Sequence, residues 1–272
     1  MITCGLDLGS GSTKGVLLED GSRVLATYAL PTRGVPAEIG QKVVDRLSEE
    51  ANLLPAELDY LCTTGFARYM FPARQLQVSD ITAAARGAHF LSGTYRHVVD
   101  IGNQSSRAIA ISETGRVDRF KMNEKCAAGA GRFVDRCSKY LQVPMDEMSA
   151  KACESVHPKT VSSVCAVLAE SEVINNVAEG IPLSDILMGV YLSLAQRAFG
   201  LMRYVGIHPE VTLVGGLVQS PAMIRALEET THTQIRVDPL GQFAAALGGA
   251  LLGYNRRRKL EQPSTGGVPA VG

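Results

Sequence analysis

The sequence predicts an α/β protein built as two like domains that face each other across a cleft. Three observations lead there. Short strands alternate with helices, the order of elements restarts after about 93 residues, and strands end repeatedly in glycine-bearing turns. With 272 residues the chain has room for one large core or two smaller ones.

Residues 2–8, 15–19 and 23–28 read as three short strands separated by glycine-containing turns. Ile39, Val43, Val44 and Leu47 then recur at helical spacing within 36–52. A strand at 58–63 and a helix at 81–91 complete the first set. Strands at 97–101, 107–111 and 116–122 restart the pattern, and helices at 127–141, 165–179 and 184–205 follow. A strand at 211–214, a helix at 221–230, a strand at 235–237 and a helix at 242–259 finish it. Residues 1–95, completed by the helix at 242–259, make the first expected domain, and 96–240 the second. The Pro- and Gly-rich stretch 260–272 is expected to be a disordered tail.

The restart is visible residue by residue. Asp7-Leu8-Gly9-Ser10-Gly11-Ser12-Thr13-Lys14 aligns with Asp100-Ile101-Gly102-Asn103-Gln104-Ser105-Ser106-Arg107. Both run from an Asp through an aliphatic residue and a glycine to small polar residues, then to a base. Gly115-Arg116-Val117 echoes Gly21-Ser22-Arg23-Val24 with a shift of one residue. A duplicated domain is the reading these matches support.

Composition narrows the function. Lys plus Arg and Asp plus Glu both number 27, so no basic field argues for nucleic acid. The run Arg256-Arg257-Arg258-Lys259 reads as a solvated helix end. Asp7 and Lys14 interrupt any apolar leader, and the longest apolar run, 243–254, is too short to span a bilayer. A cytoplasmic, soluble protein is expected, with no nucleic-acid or membrane partner.

The hairpins suit phosphate. Glycine lets a backbone approach an anion closely, and successive N–H groups in such a turn form a nest for phosphate oxygens. Gly9, Ser10, Gly11, Ser12 and Thr13 supply the first turn and its hydroxyls, with Lys14 as a point charge; Gly102, Asn103 and Gln104 supply the second. Asp7 and Asp100, at strand ends, are placed to hold hydrated Mg²⁺ or to orient an attacking water. Neither GxxxxGK[ST] nor GxGxxG occurs. Val211-Thr212-Leu213-Val214 reads as a buried strand ending in Gly215-Gly216, where the backbone can lie against a nucleoside. The small residues 245–250 fit close helix approach or plain packing.

Six cysteines without a CxxC pair argue against disulfide, zinc-ribbon and thioredoxin schemes. Cys4 and Cys62 fall in expected strands and read as core thiols. Cys137 lies in a helix and Cys153 near a loop. Cys126, in Lys125-Cys126-Ala127-Ala128-Gly129-Ala130-Gly131-Arg132, and Cys165, in Ser162-Ser163-Val164-Cys165-Ala166-Val167, both stand among small residues at helix starts. Small buried residues or metal ligands both fit that placement.

The order of phosphate segments and the Gly-Gly strand end resembles the acetate-kinase/sugar-kinase/heat-shock-70/actin superfamily, over nearly the whole chain to about Lys259. The resemblance implies duplicated actin-like (ribonuclease-H-like) ATPase domains around a nucleotide cleft. Within that superfamily, the segments 125–133 and 163–174 resemble one branch, the BcrAD/BadFG-type ATPases. These comprise the activators of 2-hydroxyacyl-CoA dehydratases and the ATPase subunits of benzoyl-CoA reductase.

The branch implies ATP, Mg²⁺ and a [4Fe–4S] cluster held by Cys126 and Cys165 together with two thiolates of a related or identical subunit. It further implies electrons from reduced ferredoxin, and acyl-CoA-binding, substrate-reducing partner subunits. Four thiolates hold such a cluster, and thiolates at helix N-termini gain from the macrodipole. One departure concerns position 105: the dehydratase activators resemble DIGGQD where this chain carries Ser105. That difference tilts the expectation toward a benzoyl-CoA-reductase-like complex, with a homodimeric dehydratase activator as the close alternative. A small-molecule kinase or a nucleotide-sensing module are readings from other classes. Glu170 and Glu172 fit the cluster helix, the nucleotide or, equally, a solvated or capped helix face, and Arg107 fits either a copy of Lys14 or a strand-edge surface charge.

Overall fold

The computed structural model describes residues 1–123, 130–162, 165–206 and 210–262. Strands β1 (Ile2–Leu8), β2 (Ser12–Glu19) and β3 (Arg23–Pro31) form an antiparallel meander. Helix α1 (Pro36–Glu50) then leads through a 3₁₀ turn (Pro55–Glu57) to β4 (Tyr60–Thr64) and the two-residue β5 (Leu76–Gln77). The sheet order is β3-β2-β1-β4-β5, with β4 parallel to β1 and β5 parallel to β4. Helix α2 (Asp80–Ser92) follows, capped by Ser79, whose Oγ accepts the N–H of Thr82 at 3.1 Å.

The second sheet repeats the first. Its strands β6 (His97–Ile101), β7 (Ser106–Ile111) and β8 (Val117–Met122) form another antiparallel meander. Helices α3 (Gly131–Leu141), α4 (Met145–Cys153), α5 (Ala166–Ala178) and α6 (Leu183–Val205) intervene before β9 (Val211–Gly215). Helix α7 (Pro221–Thr231), β10 (Ile235–Arg236), a 3₁₀ turn (Gly241–Phe243) and α8 (Ala244–Glu261) complete the described chain. The order β8-β7-β6-β9-β10 matches β3-β2-β1-β4-β5 strand for strand, including the parallel pairings. The duplicated α/β fold expected from the sequence is what the chain adopts.

Burial explains the pairing. β4 and β6 are buried at every position, as strands covered on both faces must be. α6 buries Ile186, Leu187, Val190, Tyr191, Leu194 and Ala198 and forms the spine of the second core. Cys4, Cys62 and Cys137 are fully buried, and burial pushes each thiol up to about 12, as core thiols require.

α8 lies against β1, β2 and β4 and runs along α2. Their crossing is backbone on backbone: a methyl added at Gly87 would overlap the Ala244 carbonyl, and one at Gly248 the Ala83 carbonyl. Among the described residues no helix is long and apolar enough to cross a membrane. Two elements differ from expectation. Helix α4, which ends at Cys153 beside a loop, and β5, too short to leave a periodic signal, fall in stretches where no element is expected. Residues 263–272, most of the expected tail, lie outside the described residues, as do 127–129 of the expected 127–141 helix.

Candidate nucleotide cleft and cysteine loop

Asp7 lies in β1 directly across from Lys14 in β2, and the turn between them carries Gly9, Ser10 and Gly11. Thr32, at the end of β3, braces that turn from below. Its Oγ1 donates to the Gly9 carbonyl at 2.9 Å, and its N–H donates to the Gly11 carbonyl at 3.0 Å. The fully buried Thr13 hydroxyl lies 2.9 Å from the Thr32 Oγ1. Thr13 therefore serves the turn from inside the protein, while Ser10, Ser12 and Lys14 are partly open to solvent. Thr32 carried no signal in the sequence, because its role depends on strand pairing.

The second hairpin has the same backbone. Asp100 in β6 stands across from Arg107 in β7, and the N–H of Gly102 donates to the Ser105 carbonyl at 2.9 Å. Its charges differ. Arg107 is buried, and its Nη1 donates to Asp100 Oδ2 at 2.5 Å. Its Nη2 donates to Ser105 Oγ at 2.7 Å and to Asp80 Oδ2 at the start of α2. The surface-charge reading of Arg107 is thus set aside by burial and three polar partners.

Each Asp rests on a glycine from the neighbouring parallel strand. Gly65 follows β4 with φ of +88°, and Gly215 ends β9 with φ of +95°, a region that L side chains rarely adopt. A methyl on Gly65 would strike Asp7 Oδ1, and one on Gly215 would strike Asp100 Oδ1. The turns after them also match: the Ala67 N–H donates to the Leu8 carbonyl at 3.0 Å, and the Gly216 N–H to the Ile101 carbonyl at 2.9 Å. The two hairpins meet, since a methyl on Gly11 would lie 2.7 Å from Asn103 Cβ. The structure thus brings together Gly9, Gly11, Gly102, Asn103 and both aspartates.

Electrostatics separates the aspartates. Burial pushes the Asp7 carboxyl up to about 6, opposed by the Lys14 and Arg107 cations and reinforced by the Asp100 and Asp80 anions. Asp100 holds an arginine in contact. Asp7 has no ion pair among the described residues.

The second hairpin also touches the helical region that carries the cysteines. The first N–H groups of α3, those of Gly131 and Arg132, donate to the Gly102 and Asn103 carbonyls at 2.9 Å and 2.8 Å. These would otherwise be unsatisfied donors of the helix start. One turn on, Arg136 Nη2 meets Glu170 Oε2 of α5 at 2.7 Å. Glu170 is buried and joins α3 to α5.

Cys165 is the residue immediately before α5, with extended backbone (φ −137°, ψ 138°), and is half-buried. Backbone N–H groups of Leu168 and Val167 hold its thiol below the ordinary cysteine range, against partial burial, with Arg197 assisting. The chain before it is pinned from three sides. Glu172 accepts the Ser162 N–H at 2.6 Å, while Ser193 Oγ and Arg197 Nη2 donate to the Ser162 carbonyl at 2.8 Å and 3.0 Å. Cys126 lies outside the described residues. Among the described residues no group of three or more His, Cys, Asp or Glu could hold a metal ion.

Comparison with known proteins gives a consistent picture. The family model of the BadF/BadG/BcrA/BcrD ATPases matches residues 4–253. An activator of lactoyl-CoA dehydratase from Anaerotignum propionicum is 36% identical, over 95% of this chain and 100% of that protein. A benzoyl-CoA reductase subunit from Thauera aromatica is 35% identical, over 95% of each chain. The solved activator of 2-hydroxyisocaproyl-CoA dehydratase from Clostridium difficile, with bound ADPNP, superposes with a TM-score of 0.91. That alignment has 32% identity and covers 96% of this chain and 97% of the other. A glucokinase of the ROK family from Streptomyces griseus shares the fold alone, at a TM-score of 0.59 and 14% identity.

Proposed function

Because this chain belongs to the BadF/BadG/BcrA/BcrD ATPase family, we propose that it is an ATP-hydrolysing activator that drives low-potential electrons into an acyl-CoA-processing partner. The observation that carries this reading is the run of bonds from cleft to thiol. The second hairpin is bonded to α3, α3 is bonded to α5 through Arg136 and Glu170, and Cys165 immediately precedes α5.

In the cleft, Asp7 and Asp100 would hold hydrated Mg²⁺ or orient the attacking water. The Gly9–Gly11 and Gly102–Gln104 turns receive phosphate oxygens, with Lys14 as the cation, and Gly215–Gly216 lies against the nucleoside. The glycine cradles fit this role, because side chains there would fill the space against each carboxylate. Asp7 acts as the carboxylate that can take and return a proton near neutral pH.

Cys165 fits a thiolate ligand: it is reachable, it carries a depressed pKa, and it sits at a helix start that favours negative charge. With Cys126 it would supply two of the four ligands of a [4Fe–4S] cluster, and a related or identical chain the other two. Bound, the cluster would supply a one-electron reservoir whose potential responds to hydrogen bonding and exposure. Val167 and Leu168 next to Cys165, and Ile174 and Val177 further along α5, are exposed apolar side chains, as a surface covered by that second chain would be. Ferredoxin is the proposed donor. The two units proposed are 1–95 with 242–259, and 96–240.

The preference for a benzoyl-CoA-reductase-like complex rests on Ser105. Ser105 accepts a hydrogen bond from Arg107, so its identity bears on that ion-pair cluster and says nothing of the acyl-CoA. A reductase ATPase and a dehydratase activator therefore stand together as finer forms of one proposal.

Anaerobic purification with native partners, followed by iron, sulfide and phosphate-release measurements, tests it. Iron and sulfide near half a cluster per chain are expected, with both lost in Cys165→Ser. A colourless, iron-free protein that phosphorylates a small molecule would overturn it.

A further inference from the structure

Arg107 links the second phosphate hairpin by polar contacts to the first helix after the other sheet. It is buried to 8% exposure on β7, yet three polar groups converge on it: Asp100 from β6, Ser105 from the turn and Asp80 from α2. A planar guanidinium has donors in fixed directions, so binding two carboxylates and a hydroxyl sets the geometry of all three. A buried arginine with one carboxylate would be charge-balanced already. The second carboxylate, Asp80, is therefore beyond what neutrality needs, and it comes from the helix that follows the first sheet.

We propose that Arg107 is a positioning residue for ATP hydrolysis, aiming Asp100 at the phosphate site and tying that aim to the start of α2. This rests on the ATPase reading above. Asp80 begins the helix that crosses α8 backbone to backbone, so the hairpin is referenced to the helix pair that joins the two sheets. Lys14, the equivalent residue of the first hairpin, has no such set of partners among the described residues. The two phosphate segments are thus held differently: the first by hydroxyls and carbonyls around Thr32, the second by ions.

The test compares Arg107→Gln, Arg107→Lys and Asp80→Asn in the full chain, purified with its partners. ADP affinity is measured by calorimetry, kcat and KM by phosphate release, and folding by thermal melting. Arg107→Gln is expected to lower kcat by about 30-fold or more while ADP affinity changes less than about threefold. Arg107→Lys should recover part of the loss, because an ammonium reaches Asp100 but cannot fork to all three partners. Asp80→Asn should lower kcat by about three- to tenfold with the Asp100 pair intact.

Equal losses in kcat and ADP affinity, or kcat within about twofold of wild type in Arg107→Gln, would overturn the proposal. If Arg107→Gln does not fold, the other two variants decide it: unchanged kcat in both would sink it. Wild-type protein that neither binds ADP nor hydrolyses ATP would instead refute the underlying ATPase reading.

Discussion

Asp7 and Asp100 occupy the same place in two copies of one hairpin, each across from a base and each resting on a glycine with positive φ. Only Asp100 has that base in contact. Arg107 is drawn in by Asp80 and Ser105, whereas Asp7 is left with burial as its strongest influence and a pKa of about 6. Duplication reproduced the backbone and left the electrostatics free to diverge. One copy holds its carboxylate in an ion pair with an arginine, and the other leaves a carboxyl that burial pushes up to about 6.

The strongest way to break this comparison is to remove the carboxylate that titrates. Asp7→Asn should reduce ATP hydrolysis by about 100-fold or more, measured as phosphate release by the assembled complex. A variant that kept half the wild-type rate would remove Asp7 from the chemistry.

The glycine cushions come next. Gly65→Ala and Gly215→Ala each force a Cβ onto a carboxylate oxygen and into a disfavoured φ, a cost of at least about 1 kcal/mol. Each should cut kcat by about tenfold, and a loss in only one of them would show that the copies are not functionally paired.

The pH profile sharpens the contrast further. Asp7 must be ionised to act, so kcat should fall as pH drops through about 6, approaching tenfold per pH unit below it. The charged groups acting on Asp7 are Lys14 on β2, Asp100 on β6, Arg107 on β7 and Asp80 on α2. Asp100→Asn deletes an anion and should move this acid limb to lower pH. Arg107→Gln deletes a cation and should move it to higher pH. Shifts of the same sign in both variants would contradict the assignment.

Stability gives an opposite sign for the two copies. The folded pKa of Asp7 lies above its unfolded value near 3.8, so the folded state binds the extra proton between about pH 4 and 6, and stability declines as pH rises through that window. Asp7→Asn lacks this penalty and should be about 3 kcal/mol more stable than wild type at pH 7 by urea denaturation. Asp100→Asn leaves a buried arginine short of a partner and should be less stable.

Much of this was legible in the chain. Strands 2–8 and 97–101 are bounded as their apolar runs predict, and the aligned Asp-to-base segments fall on equivalent hairpins. Local pattern sufficed there because a buried strand and its turn are short-range features. What escaped were pairings between distant elements. Asp80 and Arg107 are separated by 27 positions, Arg136 and Glu170 by 34, and Thr32 reaches back 23 to Gly9. No spacing rule foretells which charged residue on one helix will meet which on another, since that is fixed only when the elements pack. Cys165 was found as a thiol at a helix start, but its pinning through Ser162 by Glu172, Ser193 and Arg197 is a tertiary fact.

The seam between α2 and α8 has a mechanical corollary. Where Gly87 meets Ala244 and Gly248 meets Ala83, each glycine lies directly against a backbone carbonyl of the other helix, with no side chain of its own between them. Sliding the helices apart there would forfeit close backbone contact. At these two contacts the seam is stiff to separation. A single methyl at position 248 would act as a grain of sand in it.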